Sequence, residues 1–194
     1  MKLSWVPWSF VLFRALSAPL LLWDGVDGVI SRWFLPLFIA AFLSDILDGM
    51  IARRLGVSTE GIRKADGIVD TAFYLASISA AVFVFKENLL TFVVPLAVLV
   101  SGQVSLQILS RRKFGRGTSF HGWSAKLFGL CMAIALICLF GLGRTEFIWL
   151  ALAAGIVNTL EEMAMVNVLP RWHHDIWSLS SAKAIAAKDH QGVE

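Results

Sequence analysis

The chain has 194 residues, of which 57% are hydrophobic and only 16% charged, and its mean hydropathy is +0.72. Water-soluble domains rarely combine so much apolar surface with so little charge, so that class is excluded; the length suits one domain. The net charge of +3 is informative through its placement rather than its size.

Six apolar segments follow one another, at roughly 5–23, 33–51, 66–85, 89–109, 124–142 and 146–169. Each is long enough to cross a hydrocarbon core of about 30 Å as a helix. The first carries Arg14 and runs on to Trp23, which reads as a span rather than a cleavable signal. The second begins WFLPLFIAAFL and ends SDILDGMIARR, and the third opens on Asp66 and Asp70. In the fourth, Ser101, Gln103, Ser105 and Gln107 alternate with apolar residues and are expected to bond between helices. Cys131 and Cys138 share one face of the fifth, too far apart to pair with each other. The sixth contains Asn158, Glu161 and Glu162, expected either to line a ligand cavity or to pair with Arg14.

Short connections join most segments, including a tight turn at Lys86-Glu87-Asn88, and the two longer ones, 52–65 and 110–123, are basic. From Pro170 the chain is polar, with helix expected around SSAKAIAAK. His173-His174-Asp175 has no further ligand set near it, and no metal is expected there. The expected fold is an all-α integral membrane protein of six transmembrane helices: a transmembrane domain over 1–169 and a short cytoplasmic tail over 170–194. With both termini on one side, that side collects Lys2, Arg53, Arg54, Arg63, Lys64, Arg111, Arg112, Lys113, Arg116, Lys126, Arg171, Lys183 and Lys188, against Arg32, Lys86 and Arg144 on the other. Excess Lys and Arg marks the cytoplasmic side, so the reading is a multi-pass protein of a cell membrane, the bacterial inner membrane in particular.

Asp45, Asp48, Gly49 and Ala52 are spaced i, i+3, i+4, i+7 on one helix face; Asp66 and Asp70 share a face of the next helix. If these two helices are antiparallel neighbours, four carboxylates converge at one depth. Unpaired, they would repel one another and lose hydration. Arg53, Arg63 and Lys64 are near enough to compensate, but hard divalent cations suit carboxylate oxygens better. Four carboxylates suffice for two metals about 4 Å apart, an arrangement that clamps phosphoryl chemistry. Gly49 and Ala52 leave room on that face for a neighbouring helix or a ligand, and Arg53 can hold a phosphate in bidentate fashion. Together these features suggest a pyrophosphate substrate at the cytoplasmic membrane face.

The pattern Asp45-xx-Asp48-Gly49-xx-Ala52-Arg53 followed by Asp66-xxx-Asp70 resembles the signature of the CDP-alcohol phosphotransferases, integral-membrane enzymes of phospholipid synthesis. Pro7, Arg14 and Pro19 fit the family's first span, and the six-span plan agrees. Ile62 stands where the family has its second glycine, Trp8 replaces the usual Asn, and Val11 the usual Thr. The resemblance implies that Asp45 and Asp66 bridge two Mg²⁺ or Mn²⁺ ions, that Asp48 completes one site and Asp70 the other, and that Asp70 is the general base. It implies CDP-donor contacts at Gly49, Ala52, Arg53 and Thr59.

The implied reaction moves a phosphatidyl or similar phospho-alcohol group from a CDP-linked donor, CDP-diacylglycerol first among them, to an alcohol, releasing CMP. The expected partners are that donor, a small alcohol, phosphorylated or not, membrane lipid and a second copy of the chain; no nucleic acid is expected. Arg116 and Lys126 are candidate contacts for an acceptor phosphate, whereas topology alone accounts for the run Arg111–Lys113. A small cation or proton transporter with an Asp-lined site is the competing reading, since carboxylates in spans also mark ion paths. Transport sites usually lie near the midplane with broken helices, however.

Overall fold

A computed structural model describes residues 5–55, 60–118, 120 and 122–191; the side chains of residues 6, 7, 48, 52–55, 60, 62–64, 190 and 191 lie outside that description. Among the described residues all regular secondary structure is helical, with no strand. In chain order they form α1 (Trp5–Gly25), α2 (Phe34–Leu55), α3 (Glu60–Val84), a short α4 (Lys86–Leu89), a 3₁₀ turn (Leu90–Phe92), α5 (Val93–Phe114), α6 (Trp123–Leu142), α7 (Glu146–Val168) and α8 (Leu179–Gln191). Among the described residues, five stretches are long and apolar enough to cross a membrane: Phe34–Ile51, Ala65–Val84, Lys86–Phe114, Trp123–Leu142 and Glu146–Val168.

Several expected boundaries move. The second and third apolar segments continue as helix through the signature, to Leu55 and from Glu60, because nothing in Ala52-Arg53-Arg54-Leu55 breaks a helix. The expected tight turn at Lys86-Glu87-Asn88 is instead one turn of helix followed by the 3₁₀ turn. Pro95 lies in the first turn of α5, where its missing N–H costs no helical hydrogen bond.

The chain divides into two compact units. The first comprises residues up to Leu89 with Leu136–Arg144, so it holds α1 to α4 and the last part of α6. In it, α1 packs on both α2 and α3. Its core is aromatic: Phe38 and Phe73 stack with ring centroids 5.2 Å apart, and Phe34 meets Phe140 at 4.4 Å. The α1–α3 contact closes at small residues. A Cβ on Gly25 would stand 2.7 Å from Ala80 Cβ and 3.0 Å from Ala80 Cα. Between helices in lipid, close approach of this kind supplies packing that the hydrophobic effect does not. Gly25→Val is therefore expected to cost about 1–3 kcal/mol by overpacking, read as a lowered unfolding midpoint in detergent. Gly67→Ala, at a helical site where an added Cβ meets nothing within 4 Å, should be neutral or stabilising. An unchanged midpoint for Gly25→Val would mean that this contact does not hold α1 to α3.

The second unit holds the 3₁₀ turn, α5, the first part of α6, α7 and α8. Here α5 packs on α7, and α7 on α8. Leu106, Met165, Val166, Leu169, Ile176 and Ala182 form one buried cluster, so the polar tail docks through its few apolar residues. Lys113 Nζ caps the end of α7, donating to the carbonyls of Val166 and Asn167 at 2.8 Å each. Gly115, with φ 71°, ends α5 in the left-handed conformation that glycine adopts without strain. Arg171 grips Asp189 on α8 through Nε and Nη2 at 2.9 and 2.5 Å, and this bond is the first cause holding the Asp189 carboxyl below its usual range. Among the outward residues of α5 are Val93, Val94, Val98, Val100, Val104 and Ile108, apolar side chains that water would penalise and acyl chains accept.

The polar residues of the fourth segment divide. Gln103 donates across to Thr159 Oγ1 on α7 at 2.8 Å, as expected, while Ser101 and Ser105 bond carbonyls of their own helix. Gln107 reaches Thr118. Cys131 and Cys138 are both free thiols.

Candidate active site

Asp45 projects from α2 and Asp66 and Asp70 from α3, and one carboxylate oxygen of each lies within 4.8 Å of the others. The convergence expected from the two helix faces is thus present for three of the four aspartates. The side chain of Asp48 lies outside the described residues, as do those of Ala52 and Arg53, and Thr59 lies outside them entirely. Gly49 is partly exposed on α2, one turn beyond Asp45. Because α2 and α3 are longer than the apolar segments, the cluster sits inside the helices rather than at their ends. Asp45 precedes Leu55 by ten residues, about 15 Å of helix.

Arg14 completes the cluster, a role the sequence reading did not assign to it. Midway along α1, its Nη2 donates to Asp66 Oδ1 at 2.7 Å and its Nη1 reaches Asp45 Oδ1 at 2.6 Å and Asp70 Oδ1. Arg14 is buried, with 1% exposure, whereas the three carboxylates retain 34%, 30% and 28%. The acids therefore open outward over a buried guanidinium. Tyr74, one turn beyond Asp70 on α3, also interacts electrostatically with Asp45, Asp70 and Arg14. The available signal was an arginine inside an apolar run, which calls for an acidic partner; only the packing of α1 on α2 and α3 picks out which acids.

Glu161 and Asn158 find partners in their own unit. Glu161 Oε1 accepts the backbone N–H of Leu179 at 3.1 Å, supporting the start of α8, and Asn158 Oδ1 accepts from Ser124 Oγ at 3.0 Å. Asn158 also hydrogen-bonds Glu162. His173 Nε2 lies 3.2 Å from Asp189 Oδ2, and His174 Nδ1 lies 3.3 Å from Asp175 Oδ2.

The two acceptor candidates, Arg116 and Lys126, belong to the second unit, whereas the aspartates belong to the first. Arg116 lies over the Trp172 ring, 5.3 Å from its centroid. Lys126 Nζ lies 4.7 Å from the Trp123 centroid and 4.3 Å from that of Trp177. Both cations are exposed and rest on aromatic faces.

The donor set suits a divalent cation. Three carboxylates offer hard oxygen ligands close together, partly open to the outside, with no soft sulfur or imidazole among them. Helices long enough to span a bilayer and such a carboxylate centre together define a multi-pass membrane protein with a metal-suited acidic site. The family model of the CDP-alcohol phosphatidyltransferases matches residues 4–159, and the chain belongs to that family. It is a membrane transferase that uses a CDP-linked lipid donor and an alcohol acceptor. It is similar to a CDP-diacylglycerol–glycerol-3-phosphate 3-phosphatidyltransferase of Aquifex aeolicus (strain VF5), at 29% identity over 172 residues, 86% of this chain and 91% of that protein. No solved structure matches it.

Proposed function

We propose that the chain transfers the phosphatidyl group of CDP-diacylglycerol to a phosphorylated alcohol, glycerol 3-phosphate first among them, with release of CMP. The carrying observation is the meeting of Asp45, Asp66 and Asp70 at one point on two helices. The relative's name supports this donor and acceptor.

Asp45, Asp48, Asp66 and Asp70 would hold two Mg²⁺ or Mn²⁺ ions, which supply electrostatic stabilisation of charge developing on the pyrophosphate. Gly49 and Ala52 keep the α2 face low enough for the donor to lie against it, and Arg53 holds its phosphate by paired N–H donors. Thr59 contacts the nucleotide. Asp70 takes the proton from the acceptor hydroxyl. The hydroxyl oxygen then bonds to the lipid-side phosphorus, the bond from that phosphorus to the bridging oxygen breaks, and CMP leaves. Arg116 and Lys126 hold the acceptor phosphate.

In this reading α1 also spans the membrane, as the first of six spans. Residues 1–169 carry the chemistry, and 170–194 form a cytoplasmic tail whose helix α8 packs on α7. Both termini and the site face the cytoplasm of a bacterial inner membrane, a placement supported by the Lys and Arg distribution.

The test is CMP release by the purified protein in detergent with CDP-diacylglycerol and a panel of acceptors. Glycerol 3-phosphate should give the highest kcat/KM, and uncharged glycerol a much lower one. Equal rates with charged and uncharged alcohols would remove the phosphorylated acceptor from the proposal, and no CMP release with any alcohol would remove the activity.

A further inference from the structure

Arg14 is a buried cation beneath three partly exposed anions. An ordinary ion pair would need one carboxylate. Here Nη1 serves Asp45 and Asp70 while Nη2 serves Asp66, so the guanidinium ties α1 to both α2 and α3. The residues it ties are the same three whose oxygens converge closely enough to hold a metal ion. A guanidinium cannot lose its charge by deprotonation. A dication entering this cluster therefore meets a fixed positive charge that already draws on the same carboxylates, and the two cations repel at short range.

We propose that Arg14 is the resident counter-ion of the carboxylate site: it holds the acids of α2 and α3 together before metal is loaded, and it competes with the divalent cation for them. Arg14 is thus a positioning residue that sets how tightly the site takes its metal. The inference rests on the reading of Asp45, Asp66 and Asp70 as metal ligands. It goes beyond that reading by naming what neutralises them first and what metal binding must work against.

The experiment uses the full chain in detergent and reads Mn²⁺ binding from the electron paramagnetic resonance signal of free Mn²⁺, together with the thermal unfolding midpoint in EDTA and in Mn²⁺. Arg14→Gln should lower the midpoint in EDTA, because the acids lose their counter-ion. It should also bind Mn²⁺ at least about tenfold more tightly than the unchanged chain, because a competing charge is gone. Its midpoint should correspondingly rise further on adding Mn²⁺. Mn²⁺ binding that is unchanged or weaker in Arg14→Gln would overturn the proposal and leave Arg14 as a structural tie. Should that variant fail to fold, Arg14→Lys keeps the charge but loses the planar fork that reaches three acids; it should bind Mn²⁺ roughly threefold more tightly, and unchanged or weaker binding would overturn the proposal equally. Asp66→Asn separates the two ideas. If it binds Mn²⁺ as well as the unchanged chain, these aspartates are not the metal ligands, and the inference about Arg14 falls with that reading.

Discussion

Asp66→Asn is expected to lower kcat/KM at least about a hundredfold, a loss of more than about 2.7 kcal/mol of transition-state stabilisation, and Asp45→Asn to do the same. The substitution keeps size and shape and removes one charge. Asp66 lies at the centre of the site: it is bonded to Arg14 at 2.7 Å and shares the converging oxygens with Asp45 and Asp70. An amide is a poor ligand for a hard dication and a weak partner for a guanidinium. Both consequences act on the same step, since the pyrophosphate must be held while negative charge builds on it. The measurement is CMP release at saturating Mg²⁺ or Mn²⁺, with circular dichroism as the check on folding. Chelation by EDTA should abolish activity of the unchanged chain. Full activity of either variant with EDTA present would defeat the metal-site reading.

Replacing Arg116 or Lys126 with Met is expected to raise KM for glycerol 3-phosphate by roughly tenfold to a hundredfold. This corresponds to the loss of one charge-assisted hydrogen bond, about 1.5–3 kcal/mol. Both cations rest on tryptophan faces, Lys126 against Trp123 and Trp177 and Arg116 against Trp172. A cation–π contact at an exposed site is worth about 0.5–1 kcal/mol, less than the phosphate bond it would yield to. The rings therefore park the cations without trapping them. Donor KM should change little, and the loss should be smaller for an uncharged alcohol. Equal losses with charged and uncharged acceptors would return these residues to membrane topology alone.

The sequence by itself determined the membrane class, through apolar runs whose length matches a bilayer, and most helix limits fell within a few residues of those runs. It determined that Asp45 and Asp48 share one helix face and Asp66 and Asp70 another, because spacings of i+3 and i+4 fix a helix face whatever the surroundings, and these faces could meet once the two helices lay side by side. It also carried the family, through a long signature whose aspartate spacing is intact.

What it left open depended on contacts between residues far apart in the chain. An arginine in an apolar run announces that it needs an acid, and Asp45, Asp66, Asp70, Glu161 and Glu162 were all available. Periodicity carries no term for which helix lies against which. The packing of α1 on α2 and α3 gave Arg14 its aspartates, and the packing of α7 on α8 set Glu161 to support the N-terminus of the tail helix. The extension of α2 to Leu55 and α3 from Glu60 was hidden for a different reason. A hydropathy count ends where charge begins, whereas a helix ends only where its backbone hydrogen bonding does. Local spacing therefore set which groups could share a face, and tertiary packing decided which cation those faces enclosed.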